Sequence, residues 1–228
     1  MHDSSQHPQR ALVLGASGAI GGALVDALRE GGSQVTALSR RDDGFDLASE
    51  ASIARHLGAL DPGFDLILCA TGALEIAGQG PEKSLSQLDP GALAAQFALN
   101  ATGPALVIKH ALRLMPRDRR AVLAVLSARV GSISDNRLGG WYGYRAAKAA
   151  LNQILHGAAI EVARSHPRAI CLALHPGTVQ SALTRAYLGR HPAVTPPEAA
   201  RHLLDVIAAR SPADSGGFYD WRGDRVPW

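Results

Sequence analysis

Short runs of consecutive hydrophobic residues alternate with longer segments of helical periodicity along almost the whole chain. The hydrophobic runs predict strands at Ala11–Gly15, Val35–Leu38, Phe45–Leu47, Asp65–Ala70, Ala121–Ser127, Ala169–Leu174 and Gly217–Asp220. The periodic segments predict helices at Ile20–Arg29, Glu50–Leu60, Pro90–Met115, Tyr144–Arg164 and Pro197–Ala209. Within the third of these helices, Pro104 predicts a kink or a boundary. Apolar strands that alternate with helices are typical of a parallel sheet covered on both faces, so we predict one doubly wound α/β domain over residues 11–228.

The composition narrows the class of protein further. The chain has 228 residues, of which 46% are hydrophobic and 19% charged, so it is able to bury a core of its own. Its 23 basic and 20 acidic residues are scattered, which argues against a nucleic-acid partner. No apolar run approaches the roughly 20 residues that span a bilayer, and residues 1–10 are polar, so we expect no membrane partner and a disordered tail. Cys69 and Cys171 lie in apolar runs and predict buried thiols of a reduced, cytoplasmic compartment, with no disulfide or metal framework.

A glycine-rich turn joins the first predicted strand to the first predicted helix. Its residues are Gly15, Ala16, Ser17, Gly18, Ala19, Ile20 and Gly21. Glycine lets the backbone turn tightly beside a ligand, and the free amides at a helix start bind a pyrophosphate. Such a cluster is often only a turn. Its place between a strand and a helix is typical of a dinucleotide-binding Rossmann fold.

The end of the second predicted strand bears on the choice of dinucleotide. An acidic residue there accepts hydrogen bonds from a ribose 2′-hydroxyl, whereas arginine pairs with a 2′-phosphate. This chain has Ser39, Arg40 and Arg41, which favours NADP over NAD, although solvated surface arginines are the alternative. Asp46 is a candidate acceptor for the adenine amino group, or else a cap.

A phenol and an ammonium lie four residues apart on a predicted helix, at Tyr144 and Lys148. This spacing puts both side chains on one face. A nearby ammonium lowers a tyrosine pKa, which suits a general acid that donates a proton to a carbonyl oxygen. On its own such a pair is more often a surface contact.

Together these features resemble the short-chain dehydrogenase/reductase family in order and spacing, from about Ala11 to Trp228. The residues that carry the resemblance are Gly15–Gly21, Cys69–Gly72, Asn100, the Ser127 region, Tyr144 with Lys148, and His175-Pro176-Gly177-Thr178. The stretch Gly131–Trp141 and the short C-terminal region resemble the carbonyl-reductase and cell-signalling-factor branch.

The resemblance implies a role for each matching residue. Tyr144 is implied to be the proton donor or acceptor, and Lys148 to lower its pKa and bind the nicotinamide ribose. Asn100 is implied to hold a water of the proton relay. Two segments are implied to touch the cofactor beside the adenosine and the nicotinamide carboxamide, respectively: Ala70-Thr71-Gly72 and Pro176-Gly177-Thr178-Val179.

Two positions depart from the family pattern. The middle glycine is Gly18, one place before its commonest position, which Ala19 occupies. More seriously, the slot of the family's catalytic serine holds Ala128. Ser127 lies one residue earlier and is expected on the opposite face of the strand, and Ser132 is the other candidate. The role of the family's catalytic serine is therefore expected to be taken by Ser127, by Ser132 or by no residue.

The sequence therefore predicts an NADP-dependent reductase or dehydrogenase of a small carbonyl compound or alcohol. The alternative is a dinucleotide-binding regulatory protein whose chemistry has weakened. Family members pair through the two long helices, so we expect a homodimer or homotetramer. The loop Gln180–Thr195 is expected to bind the substrate, whose identity the sequence does not reveal.

Overall fold

The computed structural model describes residues 8–181 and 193–228. Six strands form one parallel sheet: β1 (Arg10–Leu14), β2 (Gln34–Leu38), β3 (Leu66–Cys69), β4 (Ala121–Leu126), β5 (Ala169–His175) and β6 (Gly217–Asp220). Their order across the sheet is β2-β1-β3-β4-β5-β6. The order reverses between β1 and β3, and such a switch point is where open α/β sheets bind ligands.

The described part of the chain contains seven α-helices. They are α1 (Ala19–Glu30), α2 (Arg40–Asp43), α3 (Glu50–Gly58), α4 (Pro90–Phe97), α5 (Gly103–Ala111), α6 (Tyr142–Ser165) and α7 (Pro196–Ala208). Helices α1 and α7 pack on one face of the sheet and α3, α5 and α6 on the other, and each face has its own buried hydrophobic cluster. The single doubly wound domain that the sequence predicts is confirmed.

The predicted strand Phe45–Leu47 is wrong. Its residues follow α2 as irregular backbone, although Phe45 and Leu47 are buried in the core. The side chains supply the apolar signal, while the backbone packs on a helix start: a Cβ on Gly103 would lie 2.8 Å from the carbonyl oxygen of Leu47. Burial thus creates the hydrophobic pattern of a strand without strand pairing.

The remaining element ends agree with the prediction to within two residues, and the N-terminal boundary moves. Arg10 already belongs to β1, and the Ser33 hydroxyl donates to the carbonyl oxygen of Pro8 at 2.6 Å, so the predicted tail 1–10 ends earlier. Residues 1–7 lie outside the described part. Cys69 and Cys171 are buried free thiols, as predicted.

The long helical segment Pro90–Leu114 is broken in the middle. A π turn at Ala98–Thr102 separates α4 from α5, and Pro104 lies in the first turn of α5. By length and composition alone this segment could cross a membrane, with a mean hydropathy of 1.3 and 39% of its most apolar window buried. Buried Gln96 and Asn100 interrupt the apolar run, and the segment packs against the domain's own sheet and α6.

Candidate functional site

The glycine turn lies at the carboxyl end of β1, beside the carboxyl ends of β2 and β3. Gly15 has a φ of +91°, and a Cβ there would lie 2.7 Å from the carbonyl oxygen of Ala70. The amides of Gly15 and Ala16 donate to the carbonyl oxygen of Leu38 at 2.8 and 3.2 Å. A Cβ on Gly21 would collide with the carbonyl oxygen of Gly15. Glycine is therefore required at positions 15 and 21 by backbone contacts alone.

This turn fits the pyrophosphate of a dinucleotide. Helix α1 begins without a side-chain cap, so its first amides have no partner within the helix. Ser17, Gly18 and Ala19 at this helix start are exposed. Exposed amides at the positive end of a helix dipole stabilise an anion. The observation that fits the cofactor is this uncapped helix start beside a turn in which a Cβ at position 15 or 21 would collide with backbone atoms.

The carboxyl end of β2 runs into α2, a short helix that the sequence did not predict. Ser39 caps it, because its hydroxyl accepts the amide hydrogen of Asp42 at 3.0 Å. The Arg41 guanidinium, 72% exposed, contacts the Asp42 carboxylate at 2.8 Å, and Arg40 is also exposed. Two arginines therefore stand at the strand end where the adenosine ribose is expected, with one of them held by a neighbouring acid.

Asp46 has a local partner in this structure. Its Oδ1 accepts from the amide of Ala48 at 3.0 Å, and its own amide donates to the Ser52 hydroxyl at 3.0 Å. This is an Asx turn within the loop, and the cap of α3 is Ser49, whose hydroxyl accepts from the amide of Ser52 at 3.3 Å.

The segment after β3 approaches the centre of the site. The Thr71 hydroxyl lies 3.2 Å from the Cys69 sulfur, and Gly72 has a φ of +147°. A Cβ on Gly72 would lie 3.0 Å from Oδ1 of Asn100 and 3.3 Å from Nζ of Lys148. Three separate elements therefore meet at Gly72.

Asn100 is fully buried in the π turn between α4 and α5. Its Oδ1 accepts from the amide of Ala73 at 3.2 Å, and its Nδ2 donates to the Ala73 carbonyl oxygen at 2.9 Å and to Oε1 of Gln96 at 2.7 Å. A π turn widens the helix and leaves irregular backbone, which recurs at functional positions. The Asn100 amide thus fixes the start of the segment that follows Gly72.

Tyr144 and Lys148 lie on one face of α6, in its first two turns. The Lys148 Nζ is 5.8 Å from the centre of the Tyr144 ring and donates to the carbonyl oxygen of Leu126 at 2.9 Å. Only 2% of Lys148 is exposed. The nearly buried ammonium therefore lies between the end of β4, which supplies its backbone acceptor, and the Tyr144 ring.

The two pKa values move in opposite directions from those of free side chains. Burial lowers the pKa of Lys148 to about 8, and burial raises the pKa of Tyr144 to about 12. The lowering of the Tyr144 pKa by Lys148 stays a prediction, and burial of the phenol shifts this pKa in the opposite direction. The phenol is protonated at neutral pH, ready to donate.

Each of the two candidate serines has a hydrogen-bond partner in this structure. The Ser127 hydroxyl donates to Oδ1 of Asn152 at 2.6 Å, and eight residues of helix place Asn152 about 12 Å along α6 from Tyr144. Ser132 is 1% exposed, and its hydroxyl accepts from the amide of Asp135 at 3.2 Å. Ala128, in the serine slot of the family pattern, has extended backbone and is only half-buried.

The segment Pro176–Val179 follows β5 at the same edge of the sheet. Gly177 has a φ of +77°, and a Cβ there would lie 2.9 Å from Cδ1 of Trp221. Val179 is buried and bridges to Val194, while Thr178 accepts from the amide of Val194 at 3.0 Å. Most of the predicted substrate loop lies outside the described residues, including Leu183, Arg185, Tyr187, Leu188, Arg190 and His191.

Three polar residues of this region were missed by sequence reasoning. They are Glu82, Gln96 and Asn152, each no more than 7% exposed. Glu82 lies in a loop rich in polar residues and glycine, where a carboxylate normally contacts water, and Gln96 and Asn152 lie on helices among apolar residues. Their burial depends on contacts between elements distant in sequence, so no local pattern distinguishes them.

A family model described as enoyl-(acyl carrier protein) reductase matches residues 44–208 of the chain. A 1-hydroxy-2-glutathionyl-2-methyl-3-butene dehydrogenase of a Rhodococcus species is 29% identical over 95% of this chain and 98% of its own length. The C-signal protein of Myxococcus xanthus is 32% identical over 64% of this chain and 84% of its own length.

Solved structures share the fold at low sequence identity. The carbonyl reductase Sniffer of D. melanogaster superposes with a TM-score of 0.83 at 20% identity, covering 97% of this chain and 100% of that one. An NADPH-bound carbonyl reductase from chicken fatty liver gives a TM-score of 0.81 at 20% identity with the same coverage.

Proposed function

The chain belongs to the short-chain dehydrogenase/reductase family of NAD(P)-dependent oxidoreductases, and we propose that it reduces a small carbonyl compound, or oxidises the corresponding alcohol, with NADP(H). The observation that carries this proposal is the position of Tyr144. Its phenol lies one helical turn from the buried ammonium of Lys148, which meets Asn100 and Gly72 at the sheet edge that holds the glycine turn.

Each residue then has a defined task. Tyr144 donates its proton to the carbonyl oxygen as negative charge develops there. When bound, NADPH supplies the hydride. Lys148, held by the Leu126 carbonyl oxygen, is placed to bind ribose hydroxyls with its remaining hydrogens and to stabilise the phenolate that proton transfer leaves. Asn100 fixes the Ala73 backbone and is the residue we assign to the proton relay.

The preference for NADP(H) follows from charge at the end of β2. The first two residues of α2 are Arg40 and Arg41, both exposed, while the acids Asp42 and Asp43 cap the helix or pair locally. The relatives support the same choice, because one neighbour of this fold is described with NADPH bound and another, from Burkholderia multivorans, with NADP bound. NAD is the less favoured cofactor.

The test is an assay that follows the loss of NADPH absorbance with a panel of aldehydes and ketones. We expect turnover by the parent protein and a loss of at least about 100-fold in kcat for Tyr144→Phe, since the variant keeps the ring and removes the proton. The dissociation constant of NADPH is expected to remain within twofold. Tight binding of NADPH with no reduction of any carbonyl compound would contradict the proposal.

A second candidate function is regulation by dinucleotide binding with weakened chemistry. The observation that favours it is Ala128 in the serine slot, where a hydroxyl would otherwise orient the carbonyl oxygen. This protein would bind NADPH through the glycine turn and turn over no substrate. The Tyr144→Phe variant distinguishes the two functions, because the substitution lowers turnover only if the protein is an enzyme.

We also propose a homodimer or homotetramer in the cytoplasm. Phe97 on α4 and Ile154 and Ile160 on α6 are large hydrophobic side chains that are 37%, 38% and 56% exposed. Burying these side chains against a second copy would remove apolar surface from water. Two buried thiols fit a reducing compartment. Light scattering at several concentrations would test the assembly.

A further inference from the structure

Helix α6 begins without a cap from its own side chains. Trp141, the residue before its first turn, has left-handed backbone with φ 54° and ψ 39°, and it forms no side-chain cap hydrogen bond. The first amides of a helix have no acceptor within the helix and need one from elsewhere. Because Tyr144 lies in this first turn, whatever binds these amides fixes the position of the phenol.

Glu82 supplies two acceptors for this helix start, from 59 and 61 residues upstream of the amides that donate to them. Its backbone carbonyl oxygen accepts from the amide of Trp141 at 2.5 Å, and its carboxylate Oε2 accepts from the amide of Gly143 at 3.2 Å. The residue is only 7% exposed. A carboxylate at the start of a helix is stabilised by the helix dipole as well as by the hydrogen bond.

The close approach of this carboxylate depends on the glycine at position 143. A Cβ there would lie 2.9 Å from Oε1 of Glu82, 3.2 Å from Cδ2 of Leu93 and 3.3 Å from Cγ of Gln96. No lysine or arginine within residues 8–181 and 193–228 forms a salt bridge with Glu82. Within the described residues, the Glu82 carboxylate therefore has the Gly143 amide as its hydrogen-bond donor.

The segment that ends at Glu82 begins beside Asn100. Ala73 exchanges two hydrogen bonds with the Asn100 amide, at 3.2 and 2.9 Å, and Gln96 binds Asn100 on one side and the Leu74 carbonyl oxygen on the other. One stretch of chain, Gly72–Glu82, thus connects the relay residue Asn100 with the start of the helix that carries the phenol.

We propose that Glu82 is a positioning residue that holds the first turn of α6, and with it Tyr144, at the distance that proton donation requires. This inference rests on the proposed function for its catalytic consequence. Its structural part, the anchoring of the helix start, stands without it. A displacement of a reacting group by about 1 Å costs on the order of 100-fold in rate.

The activity experiment compares Glu82→Ala, Glu82→Gln and Glu75→Ala. Glu75 is an exposed acid of the same segment and serves as the matched control. We expect Glu82→Ala to lower kcat by about 10- to 100-fold with the dissociation constant of NADPH unchanged within twofold. Glu82→Gln keeps an oxygen that accepts from Gly143 and is expected to retain kcat within about threefold. Equal kcat for Glu82→Ala and the parent would overturn the proposal, as would equal losses for Ala and Gln.

Amide hydrogen exchange over residues 139–147 provides the readout that does not depend on turnover. We expect faster exchange of this segment in Glu82→Ala than in the parent or in Glu75→Ala, with protection elsewhere in the sheet unchanged. Unchanged protection at 139–147 would contradict the anchoring. If the parent reduces no carbonyl compound, the proposed function fails, while the exchange data still decide whether Glu82 holds the helix.

A second perturbation covers the case in which Glu82→Ala folds poorly. Gly143→Ala keeps the Glu82 side chain but adds a methyl group 2.9 Å from its Oε1, which pushes the carboxylate away from the helix start. We expect Gly143→Ala to lower kcat and to speed amide exchange as much as Glu82→Ala does. When the two substitutions are combined, we expect kcat to fall by less than the product of the two single effects. Independent, multiplicative effects would count against a direct contact between the two residues.

Discussion

The Ser127 hydroxyl donates to Oδ1 of Asn152 at 2.6 Å, between the end of β4 and the middle of α6, with both side chains buried. This hydrogen bond gives Ser127 a structural role. We expect Ser127→Ala to lower the free energy of unfolding by about 1–3 kcal/mol, because a buried acceptor loses its donor. Urea denaturation measures this, with exposed Ser86→Ala as the control. We expect kcat to change less than threefold, and a large loss of kcat at unchanged stability would instead place Ser127 at the substrate.

The position of Ala128 predicts a gain of activity. Ala128 lies in the serine slot and, on extended backbone, projects to the face opposite Ser127, where it is half-buried. We expect Ala128→Ser to raise kcat for carbonyl reduction by about 10- to 100-fold, since one added donor to a developing oxyanion is worth up to about 10³. The measurement is steady-state kinetics under saturating NADPH. A lower kcat with intact folding would show that the carbonyl oxygen is oriented from elsewhere.

The depressed pKa of Lys148 predicts a trade between stability and activity. Burial lowers the pKa of Lys148 to about 8 from 10.5. Between pH 8 and pH 10.5 the unfolded chain therefore binds more protons than the folded protein. The free energy of unfolding rises as the pH increases through this range. At pH 7 we expect Lys148→Met to be more stable than the parent, by up to about 3 kcal/mol, and inactive.

The advantage of Lys148→Met is expected to shrink between pH 8 and 10. Thermal unfolding across this range measures it in the absence of NADPH. Lys109→Met is the matched control, because Lys109 is exposed and its pairing with Glu50 lies on the surface. A variant less stable than the parent at pH 7 would mean that the Leu126 hydrogen bond outweighs the cost of burial.

The arginines of α2 predict the cofactor preference. We expect the parent to bind NADPH more tightly than NADH, and Arg40→Ala and Arg41→Ala each to raise the dissociation constant of NADPH about tenfold, the value of one charge-assisted hydrogen bond. Binding of NADH is expected to stay within twofold. Fluorescence titration decides this, with Arg29→Ala at the far end of α1 as control. Equal affinities of the parent for the two dinucleotides would refute the assignment.

The backbone contact at Gly21 predicts a site that tolerates no side chain. A Cβ there collides with the carbonyl oxygen of Gly15, so Gly21→Ala must displace either the turn or α1. We expect loss of at least about 100-fold in NADPH affinity, since the amides that would hold the pyrophosphate move. Gly157→Ala on α6, where a Cβ meets nothing within 4 Å, is the control and is expected to gain about 1 kcal/mol from helix propensity. Unchanged binding by Gly21→Ala would exclude this turn as the phosphate site.

The fold class and the order of the elements could be read from the sequence because they depend on local patterns. A run such as Ala121–Leu126 is apolar on both faces, and α6 shows its periodicity over many turns. The failure at Phe45–Leu47 has the same origin. A hydrophobic pattern reports that side chains are buried and says nothing about which backbone groups pair.

The sequence by itself determined the single parallel α/β domain, the glycine turn and the pairing of Tyr144 with Lys148 on one helical face, because these follow from residue type and spacing within one element. Only the tertiary structure decided the hydration of the phenol, the partner of Ser127 and the role of Glu82. Each of these depends on contacts between residues tens of positions apart, and hydration and hydrogen bonding in a protein interior are set by what surrounds a group in space.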